Sequence, residues 1–322
     1  MKEVWQDDVA ARARAYWTAE RTQKLTAGKK LPLLPAEAAP LLRALGLMNS
    51  DASIPADSAK KYLQINHLVA LVEPAFVDLT RQFNLVRILD AGCGSSYLTF
   101  LVAWCFANRW KHPAEILGVD RNEAVIKKCA ERAALAGLPE TLRFAAAPLE
   151  GLDFAATWKT AFGTETDPGR PNAVLALHAC DTATDHALAL AITLKADFIG
   201  VAPCCQAELA RKWGAMAGAN QDGDFGPVWR SPHLRRELGA TTTDALRTLL
   251  LRGCGYEVTP TEFVPSTHTP KNTLLRAHRR GAFLRDALAE YAALRRVTGG
   301  AGIALEELVP AEHRARLSEM PR

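Results

Sequence analysis

Val86-Arg-Ile-Leu-Asp-Ala-Gly-Cys-Gly-Ser-Ser-Tyr97 decides the fold. Val86 to Leu89 predict a short buried strand that Asp90 closes. Gly92 and Gly94 predict a tight turn, and the apolar periodicity from Ser96 to Asn108 predicts a helix. A strand, a glycine turn and a helix form a nucleotide-binding corner: without Cβ atoms the backbone can approach a ligand closely at the helix N-terminus. The dinucleotide fingerprint G-x-G-x-x-G is not completed, because Tyr97 stands where the third glycine belongs. Asp90 would repel a pyrophosphate at this turn. A ligand with a positive centre and no phosphate fits better.

Glu115-Ile-Leu-Gly-Val-Asp120 predicts a second strand ending in an acid, followed by Arg121-Asn122 and a helix over 123–136. A carboxylate at that strand end can accept both ribose hydroxyls of an adenosine. An adenosine with a cationic centre and no phosphate describes S-adenosylmethionine (SAM), whose sulfonium and α-ammonium are both positive. Asp90-Ala-Gly-Cys-Gly94 with Gly118-Val-Asp-Arg-Asn122 resembles the first two motifs of the class I SAM-dependent methyltransferases. The resemblance implies a doubly wound α/β fold, Rossmann-like, with a mostly parallel seven-stranded sheet. It also implies SAM as cofactor and a SAM site built from Asp90, Gly92, Gly94, Tyr97, Asp120, Arg121 and Asn122, with His178 beside it. A structural glycine turn in another doubly wound protein is the alternative for the first motif alone.

The chain of 322 residues has room for one large α/β domain with appendages or for two modest domains. No window of about eighteen apolar residues occurs, so no membrane span is expected. The N-terminus shows no secretory pattern. Seven cysteines without framework spacing and without C-x-x-C predict reduced thiols, a cytoplasmic protein and no metal site. The net charge is +4, but it is unevenly placed. Residues 12–30 carry Arg12, Arg14, Arg21, Lys24, Lys29 and Lys30 against Glu20. Residues 271–296 carry Lys271, Arg276, Arg279, Arg280, Arg285, Arg295 and Arg296 against Asp286 and Glu290. Each segment stands at +5, leaving the remainder at −6. Two such segments are either the footprint of a polyanion such as RNA or solvated helix faces. No obligate protein partner is expected.

The pattern along the chain predicts an N-terminal helical extension (1–81), a catalytic-type domain (82–281) and a helical C-terminal tail (282–322). In the extension, a helix runs from Asp57 towards Glu73, capped by Asp57 or Ser58. In the domain, later strands are expected over 142–146, 173–178, 197–202, 256–263 and 273–277. Residues 203–242, rich in glycine, proline and tryptophan, predict a long lid or substrate loop before a helix over 243–252. Trp213 and Trp229 in that loop are candidates to stack on a splayed base.

In a parallel sheet, ligands gather at the carboxyl ends of the strands. Two unusual sequences fall there: His178-Ala-Cys-Asp181-Thr-Ala-Thr-Asp185 and Pro203-Cys-Cys-Gln206. Deprotonating a hydroxyl or ammonium acceptor needs a base, and His178 and Asp181 are the ionisable candidates besides the thiols. His178 reads equally as a strand-end histidine bonded to backbone. Asp181 reads equally as a helix cap, and Asp185 reads as the cap of a helix over 187–194. Cys204 and Cys205 shape a tight apolar turn or, less simply, act as a nucleophile or as metal ligands.

Leu177 to Leu188 with Pro203-Cys-Cys-Gln206 resembles a branch of methyltransferases with an H-x-C-G-x-x-T-D-x-A-L motif and a downstream Cys-Cys turn. That branch includes the eukaryotic tRNA 2′-O-ribose methyltransferases of the acceptor stem. Lys60-Lys-Tyr-Leu-Gln64 and Thr269-Pro-Lys-Asn-Thr273 are similar to segments of the same group, and the likeness covers about residues 58–280. It implies substrate contacts from Pro203, Cys204, Cys205, Gln206, Lys271 and Asn272, and it adds Lys60 as a candidate base. Asp181 departs from the motif by standing where a glycine is expected, and the zinc-binding domains of the tRNA enzymes have no counterpart in these residues. Three functions stay open: methyl transfer to RNA, methyl transfer to a small molecule or protein, and a non-catalytic SAM- or RNA-binding protein.

Overall fold

The computed structural model describes residues 2–165, 167–177, 179–203, 205–219, 223–263, 273–281 and 283–320. The chain divides into two compact units, Met1–Asn172 and Ala173–Arg322. Together they supply seven strands of a mostly parallel sheet with flanking helices, in the order β3-β2-β1 within the first unit and β4-β5-β7-β6 within the second.

The first unit opens with four helices, α1 (Lys2–Tyr16), α2 (Ala19–Thr26), α3 (Ala39–Ala44) and α4 (Ala56–Gln82). Strand β1 (Val86–Ala91) leads through the glycine turn into α5 (Tyr97–Trp104), which continues as a π-helical turn over Cys105–Arg109. Then follow β2 (Ala114–Asp120), α6 (Glu123–Leu135), β3 (Leu142–Ala146) and α7 (Phe154–Phe162). Ile88, Leu89, Ile116 and Leu117 are fully buried, the continuous apolar pattern of strands covered on both faces. The parallel register sets Asp90 beside Gly118 and Asp120 beside Ala146. Adjacent strands therefore end at adjacent levels, and the loops after β1 and β2 meet.

The second unit starts with β4 (Ala173–Ala176), α8 (Thr182–Thr193) and β5 (Phe198–Val201), the two strands parallel and wholly buried. Helices α9 (Glu208–Gly218), α10 (Gly226–Arg230) and α11 (Pro232–Gly253) come next. Strands β6 (Tyr256–Glu262) and β7 (Thr273–Arg279) follow, with β7 antiparallel to both β5 and β6. Helices α12 (Arg285–Val297), α13 (Leu305–Leu308) and α14 (Ala311–Ser318) close the chain.

Three expectations need correction. Residues 203–242 are not a long loop: apart from short connections, the described part is helical. Pro227 and Pro232 sit in the first turns of α10 and α11, where the missing N–H costs nothing and the fixed φ suits a helix. Trp213 and Trp229 do not face solvent. They are 0% and 2% exposed, stacked at 5.5 Å, and Trp213 Nε1 donates to the Thr298 carbonyl. The helix expected to stop near Glu73 runs through Pro74 to Gln82, and its N-cap is Pro55 rather than Asp57 or Ser58. Burial of Val69, Val72, Phe76 and Leu79 along one side carries it past the proline.

Gly118 marks the tightest packing under the turn. A Cβ there would lie 2.6 Å from the Phe144 ring and 3.2 Å from Cys93 Sγ. Gly118→Ala should therefore lower stability by about 1–3 kcal/mol through overpacking. The measurement is a denaturant melt, and an unchanged midpoint would show that the ring has room to move.

Candidate functional site

In the first unit the site is a backbone turn held by two carboxylates. Gly92 and Gly94 have φ of 74° and 50°, the left-handed region that glycine enters without a Cβ penalty. Asp90 is 3% exposed and lies beneath the turn. Its Oδ2 accepts the hydroxyl of Ser96 at 3.0 Å and that of Thr99. These two bonds fasten the end of β1 to the first turn of α5. Ser96 itself sits at φ 57° as the N-cap of α5 and makes no cap bond with its side chain, which is directed at Asp90.

Asp120 holds the turn from the other side. Its Oδ2 accepts the Gly94 amide at 2.9 Å and its Oδ1 accepts the Asn122 amide at 2.9 Å. A carboxylate has about four lone-pair sites. Two take backbone amides here, which leaves capacity for two hydroxyls on a half-exposed group. Asn122 caps α6, its Oδ1 accepting the Val125 amide at 3.2 Å, and Arg121 is exposed. Tyr97 lies under Lys61, whose Nζ is 3.4 Å from the ring centroid; Lys60, one residue earlier on α4, is exposed. Burial pushes the Cys93 thiol upward and the Cys129 thiol up to about 11, so both stay protonated beside the Gly94 carbonyl.

In the second unit the segment after β4 is built around Asp181. This residue has φ 53° and ψ −122°, a conformation that non-glycine residues rarely hold. The departure from the motif's glycine is therefore a strained position. Five bonds hold it there. Its amide donates to the Cys205 carbonyl at 2.8 Å, and its own carbonyl accepts Arg247 Nη2 at 3.0 Å. Its Oδ1 accepts the amides of Ala207 and Glu208 at 2.9 and 3.1 Å, and its Oδ2 pairs with Arg211 at 2.8 Å. Asp181 thus caps α9, the helix after β5, with an anion at its N-terminus. Burial works to raise its pKa, but the Arg211 guanidinium and the two amides outweigh it and hold the carboxyl below its ordinary value. A carboxylate so engaged is a weak base.

Asp185 does not cap a helix. It lies in the first turn of α8, fully buried, and takes a bidentate pair from Arg247 at 2.9 and 2.8 Å. Arg247, 1% exposed, also bonds Asp244 at 3.1 Å. Burial pushes Asp185 and Asp244 upward while the guanidinium pulls against it. Burial likewise disfavours charge on Arg247, yet the two carboxylates hold it firmly protonated. Pro203 is buried, Cys205 is half-buried, and the buried Gln206 donates to Asp244 Oδ2 at 2.8 Å. His178, Cys204, Lys271 and Asn272 lie outside the described residues. Arg247 and Asp244 escape sequence reading because nothing in an ordinary helical Asp-x-x-Arg spacing announces burial.

The two basic segments differ. All six cations of residues 12–30 are exposed; Arg12 pairs with Asp8 and Arg21 lies over the Tyr16 ring. In residues 271–296, Arg279 pairs with Asp197, Arg280 with Glu257 and Arg295 with Glu306. Among the described residues, no three or more His, Cys, Asp or Glu are grouped to hold a metal, and no helix is long and apolar enough to cross a membrane.

The strain at Asp181 has a measurable consequence. Asp181→Ala and Asp181→Gly both lose the cap, but only glycine relieves the backbone. The glycine variant should be the more stable of the two by about 1–3 kcal/mol in denaturant melts. Equal stabilities would show that the conformation carries no strain.

Residues 60–212 match the protein family described as "Methyltransferase domain". No curated protein matches the chain. Among solved structures, the chain is similar to the DszA carbon methyltransferase, with 16% identity, 82% of this chain and 71% of that one covered, and a TM-score of 0.42. The METTL16 methyltransferase domain aligns at 12% identity over 85% of this chain and 92% of that one, with a TM-score of 0.42. The SAH-bound Podospora anserina methyltransferase PaMTH1 aligns at 14% identity over 74% and 87%, with a TM-score of 0.41. The domain match covers the turn after β1, the carboxylate ending β2 and the strand-end segments after β4 and β5. Residues 60–212 match a methyltransferase domain, and S-adenosylmethionine is the methyl donor that such a domain uses.

Proposed function

We propose that the chain methylates RNA, with SAM held on the turn after β1 and on Asp120. When bound, SAM supplies an electrophilic methyl on a sulfonium. The chain's own task is to hold the donor, orient the acceptor in line with that methyl and take the acceptor's proton. Gly92 and Gly94 offer backbone at close range, and the spare lone pairs of Asp120 suit the two ribose hydroxyls. Asp90 is assigned to the turn rather than to the ligand, because its carboxylate is engaged by Ser96 and Thr99. Asn122 fixes the start of α6, and Tyr97 with Lys61 borders the turn. His178 keeps the role of base for a hydroxyl acceptor, with Lys60 as its alternative. Asp181 becomes a positioning residue, joining the segment after β4 to α9. Pro203 and Cys205 carry the acceptor-side surface after β5.

The observation that carries the RNA acceptor is the exposed row of Arg12, Arg14, Arg21, Lys24, Lys29 and Lys30 on and just after α1 and α2. The likeness of residues 177–188 and 203–206 to the tRNA 2′-O-ribose methyltransferase branch supports the same reading. The ion pairs of Arg279, Arg280 and Arg295 leave less of the second basic segment for phosphates, so the first segment is the assigned contact.

Two experiments test this reading. Asp120→Ala should weaken SAM by about 1.5–3 kcal/mol, the scale of hydrogen bonds to a charged group, without unfolding the chain; titration calorimetry showing unchanged affinity would move the ribose elsewhere. Filter binding to bulk tRNA across a salt series should give a steep log–log slope. Replacing Lys29 and Lys30 with alanine should flatten it by roughly 1.4–1.8, the sum for two phosphate contacts. Tritiated methyl from SAM should appear in the RNA fraction. A flat salt response with label in protein or metabolites would make those the acceptor.

A further inference from the structure

Asp120 and the glycine turn suit the ribose of SAM, but the ligand also carries an α-carboxylate, and the turn after β1 has no counterpart for it. The amides of Gly92 and Cys93 donate to the Val119 carbonyl at 2.9 and 3.0 Å, and the Ser96 amide donates to the Cys93 carbonyl at 2.8 Å. The Gly94 amide is held by Asp120, and the hydroxyls of Ser96 and Thr99 are held by Asp90. Asp90 lies beneath the first turn of α5, so an acid already meets the positive end of that helix. Each of these donors is committed within the fold, and both acids repel a carboxylate. A cation for it must come from another element.

Lys61 is such a cation. It stands on α4, which packs against α5 in the same unit, and its Nζ is 3.4 Å from the centroid of the Tyr97 ring. Tyr97 is the first residue of α5 and directly follows the turn. The backbone at Lys61 is fixed by its neighbours. Tyr62, fully buried, donates its hydroxyl to the Leu33 carbonyl, and the buried Asn66 accepts the Leu33 amide at 3.0 Å. The fold therefore sets where Lys61 starts, while its exposed side chain keeps the freedom to swing. Among the described residues no carboxylate pairs with Lys61; its ammonium rests on a ring face instead. At an exposed site a ring holds a cation less strongly than a hydrogen-bonded carboxylate does, so an arriving anion can draw the ammonium away.

We propose that Lys61 forms a carboxylate subsite of the SAM site: its ammonium leaves the Tyr97 ring and donates to the α-carboxylate of the ligand. The inference rests on the placement of SAM on the turn after β1. Tyr97 then keeps the cation beside the turn until a ligand arrives, and the site selects adenosine thioethers by their amino-acid end as well as by their ribose. A ligand without the carboxylate gains nothing from Lys61.

S-adenosylhomocysteine and its decarboxylated analogue, which keeps the ammonium, differ only in that group. Titration calorimetry on the full chain should show wild type binding S-adenosylhomocysteine tighter than the analogue by about tenfold or more. Lys61→Met, which keeps the apolar stem, should weaken S-adenosylhomocysteine by about tenfold or more and leave the analogue unweakened. Lys61→Arg should restore most of the preference. Thermal melts of the same variants establish that each is folded. The subsite is overturned if wild type binds the two compounds alike, if Lys61→Met binds S-adenosylhomocysteine like wild type, or if it loses both compounds equally, as a change in the shape of the turn would produce. Equal binding of both compounds that still falls in Asp120→Ala would leave the cofactor site standing without the subsite. Wild type binding neither compound would overturn the two together.

Discussion

Arg247 is the group around which the second unit is arranged. A guanidinium at 1% exposure must have its donors satisfied. Asp185 meets it in a bidentate pair from α8, Asp244 from its own helix, and the Asp181 carbonyl from the segment after β4. Replacing such a buried cluster with well-packed apolar residues is often neutral for stability, whereas removing one partner costs about 3–5 kcal/mol. Its value is therefore positional. The carbonyl that Arg247 takes belongs to a residue at φ 53°, and the bond is one of those that hold it there. Asp181's carboxylate then caps α9, so one strained residue registers α8, α9 and α11 together.

The first unit uses carboxylates to a related end at lower cost. Asp90 and Asp120 close adjacent parallel strands and grip opposite sides of one turn, Asp90 through hydroxyls of α5 and Asp120 through the Gly94 amide. They are not equivalent. Asp90 is buried, and its acceptors are directed at Ser96 and Thr99. Asp120 is half-exposed, with two lone-pair sites filled by amides. Pre-filling half of a carboxylate fixes its orientation before a ligand arrives, which is the preorganisation that binding of a diol requires.

How much of this was legible follows from range. The strand, turn and helix from Val86 to Trp104, and the acid closing β2, are local patterns, and the chain folds them as written. The departure from the motif's glycine at Asp181 was also visible, but its positive φ emerges only in the structure. Two kinds of feature were not legible. Residues 203–242 looked like a loop because glycine, proline and tryptophan are punctuation on average. Here Pro227 and Pro232 open helices, and the tryptophans stack inside. Arg247 and Asp185 are 62 residues apart in sequence, and no local period connects them; only tertiary burial turns an exposed-looking helical arginine into a core residue. Glu208-Leu-Ala-Arg-Lys-Trp213 did carry a helical signal, with Leu209, Ala210 and Trp213 on one face.

Charge shows the same limit from the other side. Two segments of equal net charge are indistinguishable in composition, yet they serve the molecule differently. Arg279 on β7, Arg280 just after it and Arg295 on α12 pair with acids elsewhere in the second unit, Asp197, Glu257 and Glu306, and so contribute little field at a distance. On α1 and α2 the one acid inside the segment is Glu20, Arg12 pairs with Asp8 just before it, and the six cationic side chains stand in solvent. A polyanion responds to uncompensated charge rather than to the number of arginines. Among the described residues, the segment 12–30 therefore carries more of the uncompensated charge. The compensated segment is better understood as the means by which an arginine-rich sheet edge and its covering helix are held in place.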